Sequence, residues 1–405
     1  MKKVLLGTLA VLTLAACSKD EVVQQNPNDA ITFSATTNKA ISRAADGYCN
    51  NSLPGDFKVW AAAQGKSYFE NEKYVKYNDA ASGAPAVYKY KPEDGMMRYW
   101  PATGTVDFFA TKNENGTETF TYSGTTSLAF AGFAVNGNVS AQTDFIYAVN
   151  KEATKTSVSD GTTTLNFRHA LSQIEFQAKN ENSKIYVEID GVSVKNVNSK
   201  GDFSVNAETA NNYVKHDFGT TPVDPDPRVG RCSWTGQNTK ADYDVTFTAT
   251  AVGTTETSLT VSDATGKEFN PNTMYLLPQT LTAWNKSAAA SSQTNSYFIV
   301  NALIYNVAGA SVDKVNDIVV WGTYDSGTDS WKTKPIAIPV PTSTTWEDGK
   351  RYVYTFVFTT DGNGGYDPTT NDPVLTPIKL SVTVDDFVDA GNSNVNMGDK
   401  TVPAP

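Results

Sequence analysis

The apolar residues of this chain recur with a period of two, in short runs, and that period limits what the chain can fold into more than any other feature. Phe57-Lys58-Val59-Trp60-Ala61, Thr105-Val106-Asp107-Phe108-Phe109-Ala110 and Ile174-Glu175-Phe176-Gln177-Ala178 are such runs. Tyr243 to Val252, Tyr297 to Tyr305, Tyr352 to Phe358 and Ile378 to Val384 are others. Successive side chains of an extended chain point to opposite faces, so an alternating run buries one face and wets the other. In the last run Leu380, Val382 and Val384 share one face, while Lys379, Ser381 and Thr383 share the other. Gly, Asn, Asp and Pro bound the runs, and no long segment has the 3.6-residue period of an amphipathic helix. Many short strands separated by turn signals predict an all-β protein built of sandwiches. With 40% hydrophobic and 11% aromatic residues the chain can supply cores, and 405 residues allow one to three domains.

The N-terminus carries a different signal. Lys2 and Lys3 precede an uncharged apolar stretch, Val4 to Ala16. It is shorter than the roughly 20 residues that span a bilayer and has the length of a secretory signal. It ends in Leu14-Ala15-Ala16-Cys17, small residues leading to a thiol that takes lipid. The expectation is a signal peptide over residues 1–16 and a lipid on Cys17; the alternative is ordinary cleavage after Ala16 with Cys17 incidental. Ser18-Lys19-Asp20-Glu21 follows, without an inner-membrane retention residue and with an acidic run that resembles a surface-export signal of Gram-negative lipoproteins. An outer-membrane lipoprotein at the cell surface is therefore expected. Nothing after Val4 to Ala16 is long and apolar enough to cross a membrane as a helix.

A polar segment with one β-like patch, Ile31-Thr32-Phe33-Ser34-Ala35, joins Cys17 to Arg43. A strand-rich block then runs over residues 44–160. The polar stretch Lys151 to Thr164 marks a division, and a second block follows over residues 161–388. Residues 389–405 form a polar tail with isolated apolar residues at Val395, Met397 and Val402.

Composition also excludes chemistry. The formal net charge of -10 becomes more negative once Lys2 and Lys3 leave with the signal, and there is no basic run, so nucleic acid is not an expected partner. Two histidines in the whole chain argue against a histidine metal site or a catalytic triad. There is no nucleophile elbow, phosphate loop or His-Glu-x-x-His. Asp224-Pro225-Asp226-Pro227 reads as a stiff loop rather than a calcium site. Asp385 and Asp386 would point to opposite faces of a strand. No enzyme activity, cofactor or metal is expected. His169 is read as packed or hydrogen-bonded within its strand pair, and Tyr99 and Trp100 as core. Cys49 and Cys232 sit in a compartment that permits a disulfide, and two buried thiols are the equal alternative.

Four stretches, taken in order after the lipid signal, resemble the fimbrillin family, the type V pilins of Gram-negative anaerobes. They are Tyr99-Trp100-Pro101 with Gly104 and Val106 to Ala110; Phe167-Arg168-His169-Ala170-Leu171-Ser172-Gln173-Ile174; Met274 to Leu281; and Lys350 to Phe356, with Ile378 to Phe387 closing the fold. The resemblance implies two tandem transthyretin-like β-sandwich domains and export as a lipoprotein. It implies that a trypsin-like surface protease cuts after an arginine, here between Arg43 and Ala44, removing the lipidated leader of residues 17–43. Ile31 to Ala35 would be the strand lost. The vacated groove would accept a strand from another fimbrial subunit. The donor would lie in the C-terminal segment, with Ile378, Leu380, Val382, Val384, Val395 and Met397 as its apolar positions.

Each of these residues has a plainer reading. Arg43 can be a surface arginine, Ile31 to Ala35 a permanent first strand, the tail a loose end, and Leu380 to Val384 the domain's own last strand. Further readings stay open: a non-polymerising surface lipoprotein that binds a glycan or host protein; a fimbrial anchor that retains its lipid; and a hydrolase that assembles carboxylates across the fold.

Overall fold

The alternating runs fall on strands in the computed structural model, which is described over residues 29–37, 56–82, 87–113, 121–123, 127–155, 161–206, 232–261, 272–282, 284, 293–309, 311–341, 344–361 and 364–386. The first nine strands are β1 (Thr32–Thr37), β2 (Phe57–Ala63), β3 (Lys66–Asn78), β4 (Tyr88–Pro92), β5 (Val106–Asn113), β6 (Thr121–Ser123), β7 (Ser127–Ala134), β8 (Phe145–Ala153) and β9 (Thr162–His169). Seven of them close into a barrel in the order β1-β4-β3-β2-β5-β8-β9. Ala63 pairs with Lys66, so β2 and β3 are joined by the two residues Gln64 and Gly65. Both have positive φ, 51° and 74°, the geometry of a hairpin turn whose twist matches that of its strands. Glycine reaches it without strain and glutamine does not.

Inward side chains fill this barrel: Ile31, Phe33, Phe57, Val59, Ala61, Tyr74, Val106, Phe108, Leu165 and Phe167 are among them. The opposite faces of β2, β5 and β8 are also buried. Trp60, Phe109, Phe145 and Tyr147 meet Phe130, Phe133 and Phe203 in a second core. A strand buried on both faces loses its alternation, which is why Val59 to Ala62 are all buried.

The remaining strands are β10 (Ser172–Asn180), β11 (Ile185–Asn198), β12 (Lys200–Asn206), β13 (Ser233–Thr235), β14 (Lys240–Ala251), β15 (Thr257–Ser258), β16 (Met274–Leu276), β17 (Gln279–Thr280), β18 (Tyr297–Asn306), β19 (Ile318–Trp321), β20 (Thr323–Asp325), β21 (Ser330–Lys332), β22 (Lys334–Pro339), β23 (Thr345–Trp346), β24 (Lys350–Phe358) and β25 (Ile378–Asp386). One sheet has the order β15-β10-β24-β25, with β16 also on β10. Another has the order β14-β11-β18-β19, with β22 also on β18. Their inner faces meet in the largest core. There Phe176 of β10 lies 5.3 Å from Phe298 of β18 and 5.6 Å from Phe356 of β24. This is sheet-on-sheet packing.

A four-stranded sheet of order β13-β12-β7-β6 joins the two parts. β12 continues from β11 after Ser199 and pairs antiparallel with β7. Its Phe203 and Val205 cover the outer face of the barrel. The fold is therefore all-β, made of stacked sheets, as the period-two alternation requires.

Candidate functional site: a buried first strand and its groove

β1 is short, and its inward side chains, with Ile31 just before it, are buried in the barrel. Ile31 and Phe33 are 0% exposed and Ala35 is 4% exposed. These three alternate residues form the inward row. The Phe33 ring sits 4.8 Å from Tyr74 and 5.1 Å from Phe108, edge-on to both at 69° and 85°. Phe57 closes the box at 6.3 Å. Edge-to-face contacts set the electropositive rim of one ring against the face of another, so the box favours an aromatic occupant beyond the area it buries.

The other row of β1 is made of hydroxyls. Thr32 Oγ1 and Thr162 Oγ1 are 2.7 Å apart, and Ser34 Oγ and Thr164 Oγ1 are 2.9 Å apart. The two strands run parallel in continuous register from Thr32 opposite Thr162 to Thr37 opposite Phe167. On its other edge β1 has a single registered pair, Phe33 with Tyr90 of β4. The segment just before it is also tied. Ile31 N–H donates to the Arg98 carbonyl at 2.6 Å, and Trp100 N–H donates to the Asp29 carbonyl at 2.9 Å. Trp100 Nε1–H donates to the Gly161 carbonyl at 3.0 Å, and the Lys155 ammonium lies 2.6 Å from an Asp29 carboxylate oxygen.

Two tyrosines line the groove under β1, and burial raises the pKa of both. Tyr90 is pushed up to about 12, first by burial and then by the charge of Asp56. Tyr74 is raised further, first by burial and then by Glu72, and its hydroxyl is buried without a hydrogen-bond partner. Arg98 donates to Glu72 at the rim of the same groove.

The geometry gives β1 an unusual position. Phe33 and Ala35 of β1, with Ile31 just before it, belong to the barrel core, yet β1 is the first described strand and is joined to β2 through residues 38–56. Arg43 and Ala44 lie in that link, outside the described residues, as do Cys17, Cys49, Val395 and Met397. Cys232 is partly buried; its backbone N–H donates to the Tyr147 hydroxyl at 2.8 Å. Burial, and then the charge of Asp348, push its thiol well above the usual cysteine range.

The C-terminal positions form an edge. β25 pairs with β24 along nine residues, from Ile378 opposite Phe358 to Asp386 opposite Lys350. Ile378 is buried, and Leu380, Val382 and Val384 pack against the largest core. His169 is fully buried with Nδ1 2.5 Å from Asp144 Oδ2, the packed role read from the sequence. Trp100 lies in the barrel core. Among the described residues no group of three or more His, Cys, Asp or Glu could hold a metal ion.

The sequence had not pointed to Tyr74 and Tyr90, nor to the hydroxyls of Thr162 and Thr164. For the threonines the signal was the unbroken Thr162-Thr163-Thr164 run, in which Thr162 and Thr164 stand two positions apart like Thr32 and Ser34. Elsewhere the β20–β21 hairpin presents Tyr324 and Trp331 to solvent, 49% and 41% exposed, with ring centroids 5.4 Å apart.

Residues 42–226 match the Fimbrillin-like family model. Among solved structures, the chain is similar to a candidate cell adhesion protein of Bacteroides uniformis, with 13% identity, a TM-score of 0.42, and 89% of this chain and 98% of the other covered. A second, from Bacteroides ovatus, has 12% identity and a TM-score of 0.40, covering 89% and 98%. The tip fimbrial protein Mfa3 of Porphyromonas gingivalis, with a C-terminal truncation, has 10% identity and a TM-score of 0.35, covering 88% and 99%. No curated protein matches the chain.

Proposed function

We propose that this chain, which is fimbrillin-like over residues 42–226, is a structural subunit of a cell-surface fimbria that supports adhesion. It is exported with lipid on Cys17 and held at the outer membrane. A trypsin-like surface protease cuts between Arg43 and Ala44, and β1 leaves with the leader. The vacated groove takes a strand from a neighbouring fimbrial subunit. The observation that carries this reading is the placement of β1. Phe33 and Ala35 of β1, with Ile31 just before it, are buried in the barrel, while one cut in residues 38–56 severs them from the rest of the chain.

The physics of assembly follows from that placement. Loss of β1 opens one edge of β9 and bares apolar side chains. An unpaired edge beside an apolar groove is a template for an extended segment of another chain. The contact is head-to-tail, so it propagates instead of closing. The subunit's own donor segment lies at its C-terminal end. β25 already has a full ladder on β24, which favours the segment after it, with Val395 and Met397, as the part that reaches a neighbour.

The test is to treat the purified chain, together with its partner subunits, with a trypsin-like protease. Assembly is then followed by electron microscopy and light scattering as a function of concentration. Filaments or stable oligomers are expected only after cleavage. Oligomers of equal stability with an Arg43→Ala chain would overturn the reading. The alternative, a surface lipoprotein that binds a glycan or host protein without polymerising, draws on the exposed Tyr324 and Trp331 pair. It predicts ligand binding that a Trp331→Ala change removes and that needs no cleavage at Arg43.

A further inference from the structure

We infer that the strand seated in the β1 groove comes from a different chain and not from a second copy of this one. The inference rests on the reading that β1 is removed and replaced, and it concerns which sequence the groove accepts. Its basis is the shape of the inward row. The row needs a large aliphatic side chain at the Ile31 position, an aromatic ring at the Phe33 position and a small residue at the Ala35 position. The central demand is the strict one. Tyr74 and Phe108 stand edge-on around the Phe33 ring at 4.8 and 5.1 Å. A smaller aliphatic side chain there leaves part of their inner faces without contacts, and a packed interior relaxes only partly around such a void.

The C-terminal segment of this chain does not meet that demand. Over Leu380-Ser381-Val382-Thr383-Val384, Ser381 and Thr383 repeat the hydroxyls of Thr32 and Ser34, and three apolar residues repeat the inward row. The central residue, however, is Val382. Residues 378–405 contain one aromatic residue, Phe387. Two positions to either side of it stand Asp385 and Asp389, so seating Phe387 in the box drives carboxylates into the apolar positions of Ile31 and Ala35, whichever way the strand runs. A register centred on Val395 or Met397 again lacks the ring. The groove fits a strand of the form aliphatic-x-aromatic-x-small, with hydroxyls between, and the C-terminal end of this chain does not supply it. The subunit therefore accepts its strand from a different subunit type.

The test uses the full chain after cleavage and release of the leader, with the uncleaved chain as control. Fluorescent peptides of residues 29–37, of residues 378–386, of residues 378–386 with Val382→Phe, and of residues 387–405 are titrated by anisotropy. The peptide of residues 29–37 is expected to bind the cleaved chain only. The native 378–386 peptide is expected to bind about tenfold or more weakly, the scale of an unfilled aromatic pocket, and Val382→Phe to recover most of that loss. The 387–405 peptide is expected not to bind. If either native C-terminal peptide binds within about threefold of residues 29–37, or if Val382→Phe brings no gain while residues 29–37 bind, the inference is overturned. If no peptide binds the cleaved chain, the removable-strand reading fails, and the inference falls with it.

Discussion

Replacing Phe33 by alanine should damage the uncleaved protein and leave the cleaved one untouched. Phe33 has no exposed surface and sits among Phe57, Tyr74 and Phe108. Truncating a fully buried phenylalanine costs about 3–5 kcal/mol, from lost transfer energy and from the cavity left behind. That is a large part of the roughly 5–15 kcal/mol that holds a typical domain folded. The assay is hydrogen exchange by mass spectrometry on peptides from β2 and β5, whose inward residues share the barrel core with Phe33. A loss of this size speeds their exchange by about a hundredfold to a few thousandfold, since each 1.36 kcal/mol is a factor of ten. After cleavage and release of the leader, Phe33 is gone from both proteins, and their exchange rates should coincide. A change below about fivefold in the uncleaved chain would refute the packing argument. A difference that survives cleavage would refute the argument that β1 leaves.

Further predictions come from the β10–β24 sheet, from the groove tyrosines and from the β2–β3 turn. Glu175 is fully buried; it accepts from Arg351 Nε at 2.9 Å and Nη2 at 2.6 Å, and from Gln173 and Thr273 at 3.0 Å each. Arg351→Met should therefore destabilise the β10–β24 sheet by about 3–5 kcal/mol in denaturant titration, with Glu175→Gln in the same chain restoring much of it, because a buried charge left alone is the costly state. Tyr74→Phe should be close to neutral at pH 7, since the hydroxyl has no partner to lose. Burial raises the pKa of Tyr74 and Tyr90 above the ordinary value of 10.0, and for such groups stability is complete below the unfolded pKa and is lost as pH rises. The barrel should thus weaken as pH rises from 10 towards 12, with Tyr74→Phe flattening the slope measured by thermal melts. Gln64→Asn should raise the melting temperature slightly, because the Gln64-Gly65 turn has positive φ at both positions and asparagine accepts it more readily.

The strands most legible in the sequence are those with one wet face and one buried face. β25 is of this kind: Leu380, Val382 and Val384 pack inward and Lys379 and Ser381 are exposed, as the alternation indicated. β3 is the counter-example. Its sequence, Lys66 to Asn78, is dense in charge, and its two buried residues, Phe69 and Tyr74, are five apart. In a regular strand an odd spacing puts two residues on opposite faces. The ladder with β2 shifts register here, and Asn71 takes a φ of 54°. This bulge turns both rings inward. Period-two reading cannot anticipate a bulge, so Tyr74 was invisible as part of the Phe33 box.

The groove was half legible for a related reason. Ile31 to Ala35 announces a strand through its own alternation. Its partner is set by tertiary packing: the parallel match to β9 joins residues 130 positions apart, Thr32 to Thr162 and Ser34 to Thr164. The Trp60, Phe109 and Tyr147 core was hidden likewise. It forms only when β7 meets β12, two strands that the sequence places on either side of the division drawn near residue 160.

The central claim is tested most directly by the N-terminal residue of the protein recovered from intact cells, read by mass spectrometry with and without a trypsin-like surface protease. The account predicts a mature chain that begins at Ala44 when the protease is active and at lipid-bearing Cys17 when it is not. A chain that begins at Cys17 in both cases would contradict it, leaving β1 in place and the protein a permanent surface lipoprotein.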